Sequence, residues 1–354
     1  MRLRNVFTVF AGVLLVLQSI QATKYVVVTS LVVEGRGTVD REVFSRIFLI
    51  APDIPGWQNS SRITLYVNSK ERGFTLSRDA DGNLYAYPGD LQYSGRINIT
   101  LVQEVEVLKS PFRRVADLPE TVAASRALMD KTASSVFWRC NASGKKFSDV
   151  VSLASSIGSG SPSNRDFVLR AADWVRRNIK YSLNISGGVR CPAETLARAE
   201  GACGDIHALY TALLRVRGID SYLAYAYVYV PEESFAIEYG KWRYVLVGAE
   251  PHIFTVVNSS GAIFPVDLTA NTQSSLSELA RGSAVNQLDS VIVVAWIKNR
   301  DPNDLLAVYA PTGAEKVELV LRVVRGSAVL NDNTLLFLAI LLAGALILNK
   351  ERST

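Results

Sequence analysis

Gly201-Ala202-Cys203-Gly204-Asp205, running on through Ile206 to Gly218, is the stretch on which the reading of this chain turns. Glycines on both sides of a cysteine describe a tight turn that places the thiol in the first turn of a helix. Ile206, Leu209, Tyr210, Leu213 and Leu214 follow at the i, i+3, i+4, i+7, i+8 spacing of a helix with one buried stripe. Arg215 and Arg217 fall where positive charge suits the helix dipole, and Gly218 occupies the position of a left-handed terminator. A sulfur at a helix start faces unpaired N–H groups and the positive end of the dipole, which favours the nucleophilic thiolate. Asp205 in the same turn stabilises the helix start but opposes that effect if it lies close.

The surrounding chain sets bounds. Its 354 residues are 49% hydrophobic and 20% charged, enough for a large core and for two folded modules. The net charge is +5, of which the two ends (Arg2, Arg4, Lys350 and Arg352 against Glu351) hold +3, leaving +2 for the middle. No basic stripe with interleaved aromatics is present, so nucleic acid is not an expected partner.

Both ends carry apolar runs. Arg2 and Arg4 precede an uncharged stretch over 5–22, which reads as a signal peptide cleaved near Ala22 or as an uncleaved signal anchor. Residues 334–348 are uncharged and almost wholly apolar, and are followed by Lys350 and Arg352. Fifteen helical residues span about 22 Å, so bilayer thinning and snorkelling by Lys350 are needed to cross a core of about 30 Å. A buried C-terminal helix is the alternative; the expectation is a membrane span with a cytoplasmic tail at 349–354 and the main domain outside the cell. An exterior location suits the three cysteines, Cys140, Cys191 and Cys203, an odd count that implies one bridge and one free thiol. Cys140 with Cys191 is the expected pair; Cys191 with Cys203 would instead silence the thiol or make it a redox switch.

Local pattern divides the middle of the chain. Residues 24–110 read as an antiparallel β-sandwich-like module: Ile97, Ile99, Leu101, Val105 and Val107 alternate with polar residues, 25–33 is a β-branched run, and Asp81-Gly82-Asn83 signals a hairpin. A helix is expected at 118–139, a loop at 155–164, and a helix from a Ser163/Asp166 capping box to about Lys180. These make 111–164 a helical linker and loop. After Gly218 the period changes to two, with Tyr225, Tyr227 and Tyr229 on one strand face and further strands near 242–247, 252–257, 262–268, 291–297 and 317–324.

Two of those strands carry chemistry. His252 comes 49 residues after Cys203, and Asp267 follows 15 residues later. A hairpin with Gly261 in its turn brings the two side chains together. A thiol, an imidazole to move its proton and a carboxylate to orient the ring are what nucleophilic acyl transfer needs. A buried core thiol, a strand-surface histidine and a turn-forming aspartate are the other readings of the same residues. His207, one turn past Cys203, is read as a packed or hydrogen-bonded helix residue. With His252 and Asp205 it has metal-ligand chemistry but no ligand spacing, so neither metal nor cofactor is expected.

The flanking residues resemble the transglutaminase-like core of the papain-like cysteine enzyme superfamily. Trp174-Val175 and Ile179-Lys180-Tyr181, then Pro192, Ala193 and Leu196, then Gly201, Cys203 and Asp205, then Leu213, Leu214, Arg215, Gly218 and Ile219, and finally Asp267-Leu268-Thr269 follow that family's pattern in order across 165–268. Phe254 stands where the family more often has Trp, and His207 where it usually has a small residue. The resemblance implies an α+β fold, helices packed on an antiparallel sheet over 165–328. It also implies that Cys203 is nucleophile, His252 general base and acid, and Asp267 the orienting residue. The expected function is a membrane-anchored cysteine-dependent amide hydrolase or acyltransferase acting on external proteins or peptides; the alternative is a non-catalytic surface module of the same fold.

Overall fold

The computed structural model describes residues 22–108, 117–120, 122–142, 144–182, 188–269, 290–306 and 309–326. The signal segment and the apolar run at 334–348 lie outside them. Among the described residues no helix is long and apolar enough to cross a membrane. The elements in chain order are β1 (Ala22–Val39), α1 (Arg41–Ile47), β2 (Gln58–Val67), β3 (Lys70–Glu71), β4 (Thr75–Arg78), β5 (Leu84–Tyr87) and β6 (Leu91–Leu108). Next come α2 (Arg126–Ser134), α3 (Phe147–Ser159), α4 (Asn164–Asn178), β7 (Lys180–Tyr181), α5 (Pro192–Arg198), β8 (Glu200–Gly201) and α6 (Cys203–Arg215). The chain continues through β9 (Ser221–Tyr239), β10 (Trp242–Ser259), β11 (Ala262–Val266), β12 (Val291–Ile297), α7 (Pro302–Leu306) and β13 (Thr312–Arg325).

One nine-stranded sheet organises this α+β molecule, in the order β12-β9-β10-β13-β1-β6-β2-β3 with β11 paired to β10. This corrects the expectation of a separate sandwich at 24–110. β1 lies in the middle of the sheet, paired along its whole length with β6 and, from Tyr25 opposite Arg325, with β13. A strand flanked on both sides and buried along its length is mostly apolar, as the 25–33 run is except at Thr29 and Ser30, the Ser30 hydroxyl being paired with Asn98 and Thr100. The sheet is not purely antiparallel either: β10 runs parallel to β13 from Trp242 opposite Val317 to Val247 opposite Arg322.

Alternate residues of β10 enter two different cores. Ile253 and Val257 join the larger one, built with Phe167, Val168 and Val175 of α4 and Leu209, Tyr210 and Leu213 of α6. Phe254 and Val256 join the second, with Trp57, Ala224, Ala226 and Ile292. The expected strands at 242–247 and 252–257 are one strand, kinked at Gly248, whose φ of +64° marks a bulge and whose Cβ would lie 2.5 Å from the Val323 carbonyl oxygen.

Two helix expectations change. The helix read at 118–139 is confined to Arg126–Ser134. The loop read at 155–164 shrinks, because α3 runs to Ser159 and packs Val150, Leu153, Ala154 and Ile157 against the core. That i, i+3, i+4, i+7 stripe outweighs the serines and glycines around it.

Asp81 and Asn83, read as turn formers, do more than turn the chain. Asp81 is buried and accepts from the backbone N–H groups of Lys298 and Asn299 at 3.0 and 2.8 Å. Asn83 exchanges two bonds with the Trp296 backbone, at 2.7 and 2.8 Å. The β4–β5 turn is thereby fastened to the end of β12. Asp81→Ala strands those donors, and a loss of about 3 kcal/mol of unfolding free energy is expected in a denaturant titration.

Candidate active site

Helix α6 is enclosed on all sides; every residue from Gly204 to Arg215 is buried. Its polar residues therefore have internal partners. Arg215 donates from Nε to Thr132 Oγ1 at 3.0 Å and from Nη1 to the Lys298 carbonyl, and its guanidinium lies 4.9 Å from the Trp138 ring centre. Burial lowers its pKa to about 10. The helix ends at Arg215, and the turn after it closes at Gly218, whose φ is +75° and whose Cβ position is blocked at 2.8 Å by Ser125 N.

Cys203 opens α6, half-buried and unbridged, while Cys140 and Cys191 form the disulfide expected for them. Asp205 is turned away from the thiol: Oδ2 accepts from Ala202 N–H at 3.0 Å, Oδ1 accepts from Arg190 N–H at 2.7 Å, and the Arg190 guanidinium stands 3.5 Å off. Both flanking glycines are sterically required. A Cβ on Gly201 would meet Asp205 Cβ at 2.5 Å, and one on Gly204 would meet Val189 Cγ2 at 2.6 Å. Val189 is itself clamped by Asn303, which accepts from its N–H at 2.7 Å and donates to its carbonyl at 2.9 Å. Asn303 carries no signal in the sequence, because a partner 114 residues away leaves no local pattern.

His252 comes from β10, and Asp267 from the residue after β11. The hairpin between them turns at Ser260 and Gly261, with φ of +53° and +84°, the geometry of a tight two-residue β-turn. His252 Nε2 lies 2.6 Å from Asp267 Oδ2. With Nε2 committed, Nδ1 is the nitrogen left for the sulfur, and Cys203 acts on the ring as hydrogen-bond partner and as charge. Phe254 stacks on the ring at 5.9 Å and is backed by Trp57 at 5.9 Å. The structure thus joins His252 to Asp267 directly and sets Cys203 near enough to the ring to raise its pKa.

Asp267 also holds a second imidazole. His207 Nε2 lies 3.2 Å from Asp267 Oδ1, and its Nδ1 accepts from Thr255 N–H at 3.1 Å. The three groups titrate differently. Burial lowers the pKa of His252, but the Asp267 charge and hydrogen bond and the Cys203 contact outweigh it and hold the value well above 6.5. Burial raises Asp267, but the His252 charge and the bonds from His207 and His252 hold it well below 3.8. For His207 burial dominates, and the Asp267 bond does not reverse the lowering.

These shifts fix a stability profile. A lowered His207 contributes in full above its unfolded value of 6.5 and loses that contribution as the pH falls through its folded value. A raised His252 contributes in full below 6.5 and loses it as the pH rises through its own folded value. Urea midpoints measured against pH are expected to peak near 6.5, and His207→Gln is expected to flatten the acid arm alone.

The Cys203 charge acts on two tyrosines. Burial pushes Tyr225 up to about 12, against a hydrogen bond from Tyr227 and with the Cys203 charge adding to the rise. Burial also raises Tyr181, helped by the charges of Cys203, Glu250 and Asp267. Of the three tyrosines expected on one strand face, Tyr225 and Tyr227 meet edge to face at 5.6 Å. No group of three metal-ligating side chains occurs among the described residues.

Residues 151–261 match the family model of the transglutaminase-like superfamily, a span that includes Cys203 and His252 and stops short of Asp267. Among curated proteins none matches. Of solved structures, a candidate cysteine protease from Cytophaga hutchinsonii is similar over 88% of this chain and 93% of its own, with 14% identity and a TM-score of 0.51. The periplasmic domain of TgpA from Pseudomonas aeruginosa, bound to ethylmercury, aligns with 74% of this chain and 94% of its own at 13% identity and a TM-score of 0.31. The motif order and the family match agree: residues 151–261 of this chain are similar to the transglutaminase-like superfamily, and the Cytophaga hutchinsonii structure shares the overall fold.

Proposed function

We propose that the protein is a cysteine-dependent amide hydrolase or acyltransferase working through a thioester on Cys203. His252 holds the thiol proton as an imidazolium beside the thiolate; sulfur attacks an amide carbonyl, and the imidazolium then gives the proton to the departing amine. Water, or a second amine, releases the acyl group by the same steps in reverse. Asp267 holds the ring and balances the imidazolium. The Cys203 N–H, at the helix start, is one donor to the developing oxyanion. The observation that carries this reading is the 2.6 Å His252–Asp267 pair standing close enough to Cys203, at the start of α6, for the sulfur to act on the ring.

The test is iodoacetamide labelling of Cys203 near neutral pH, followed by ester turnover. Cys203 is expected to react faster than a simple model thiol, and His252→Ala is expected to remove the advantage. Equal rates for parent, variant and model thiol sink the proposal.

We place the enzyme outside the cell, anchored by 334–348 and acting on proteins or peptides there. The Cys140–Cys191 bridge supports an oxidising compartment, and the terminal apolar runs support export and anchoring. Protease added to intact cells is expected to degrade the main domain, and detergent to be needed to release it. Recovery in the soluble cytosolic fraction refutes the placement.

A further inference from the structure

Asp267 is approached by two imidazoles, and the proposed chemistry employs only one of them. His207 lies one helical turn beyond Cys203, fully enclosed between α6 and the β10–β11 hairpin. A leucine fills such a volume without needing polar partners, so what the imidazole brings is hydrogen bonding.

Its proton can be placed. Thr255 N–H points at Nδ1 from 3.1 Å, so Nδ1 must present a lone pair. Asp267 Oδ1 lies 3.2 Å from Nε2 and belongs to a carboxylate held in its charged form. A lone pair there would repel the anion, whereas an N–H makes a charge-assisted bond. Leu268 N–H also approaches Nε2, at 3.2 Å, and would favour the other tautomer. That tautomer gives up the Thr255 N–H bond and sets a lone pair against a buried charge, so the Nε2–H form prevails. Thr255 Oγ1, 3.0 Å from Nδ1 and 3.0 Å from Thr211 Oγ1, completes the pocket.

We infer that His207 is a positioning residue for the reaction proposed above: a buried neutral imidazole that pins one oxygen of Asp267 so that the other is aimed at His252. The inference rests on the reading of Cys203 as nucleophile. Oδ1 takes three donors, His207 Nε2–H, Thr269 N–H at 2.9 Å and Thr269 Oγ1–H at 3.2 Å. Those bonds fix the carboxylate torsion and leave Oδ2 2.6 Å from His252 Nε2. They also draw charge from the carboxylate and so moderate its grip on the imidazolium. Helix α6 therefore carries the nucleophile at its tip and, one turn later, the group that sets the far end of the relay.

The test uses the full chain, with iodoacetamide and p-nitrophenyl acetate as probes, in parent, His207→Gln and His207→Leu. Gln keeps a neutral donor near the Nε2 position and Leu removes it. Titratable groups acting on His252 are Cys203 from α6, Asp267, His207, and Glu250 from β10 itself, with Tyr181 beside Cys203 and Asp267; only His207 changes. His207→Leu is expected to lower kcat by about ten- to a hundredfold with KM nearly unchanged. The alkaline limb of the alkylation profile is expected to move up by about one pH unit. His207→Gln is expected to restore most of both. An unmoved limb in His207→Leu, or equal losses in the two variants tracking their thermal midpoints, overturns the inference while leaving the acyl-transfer reading intact. A parent Cys203 no more reactive than a simple thiol overturns both.

Discussion

Cys203→Ala is expected to abolish acyl transfer, and His252→Ala to lower kcat/KM by about a thousandfold or more at neutral pH. The two substitutions act on one unit, so the double variant should be no worse than Cys203→Ala alone. Cys203→Ala should disturb folding little, whereas His252→Ala removes the charge partner of buried Asp267 and should also lower stability, although the hairpin itself persists. Cys203 is only half-buried at a helix start, and the hairpin that carries His252 keeps its β10–β11 ladder from Thr255 opposite Val266 to Ser259 opposite Ala262. Asp267→Asn should be intermediate in rate but more costly in stability. A neutral amide cannot balance the imidazolium, and it faces two imidazole nitrogens with one oxygen and one NH2. Steady-state rates with an activated ester, set beside circular dichroism of each variant, separate these outcomes.

Breaking the Cys140–Cys191 bridge should have the largest effect on stability. The bridge closes a loop of 51 residues, and loop-closure entropy puts its contribution at about 4 kcal/mol. Cys191 is the residue before α5, the helix that ends at Ala199 in a left-handed cap and delivers β8 and the glycine turn to Cys203. Loosening the bridge should therefore slow Cys203 alkylation as well as lower the denaturant midpoint. Comparing Cys140→Ser with the parent avoids exposing Cys203 to reductant; a loss of unfolding free energy below about 1 kcal/mol contradicts the entropic account.

What could be read from the chain was what local spacing encodes. The α6 stripe, the strand at 291–297 and the Ser163 cap, which accepts from Asp166 N–H at 3.1 Å, all stand in the structure. So does the neighbourhood of Cys203, His252 and Asp267, because a two-residue turn sets the register of their hairpin. Partnership across long separations could not be read. Nothing near residue 25 announces that its neighbours are β6 and β13, and so one sheet was taken for two modules. His207 looked like an ordinary helix residue because its partners, Thr255 and Asp267, lie on other elements. Asn303 and Asp81 likewise act on backbone groups far along the chain. Composition also misled: the serines and glycines of 155–164 hid the end of α3, whose apolar stripe belongs to a larger core.

The pairing of β1 with β13 governs when the molecule can become whole. β1 is the earliest described strand to leave the ribosome and β13 the latest, yet they are direct neighbours from Tyr25 and Arg325 onward. Contacts so distant along the chain close slowly, since most of the conformational entropy must be given up before they form. β10, which carries His252, rests against β13 on its other side. A nascent chain therefore cannot complete the floor beneath the His252 imidazole until nearly all of it has been synthesised, so the surroundings of Cys203 are among the last parts of the molecule to be finished.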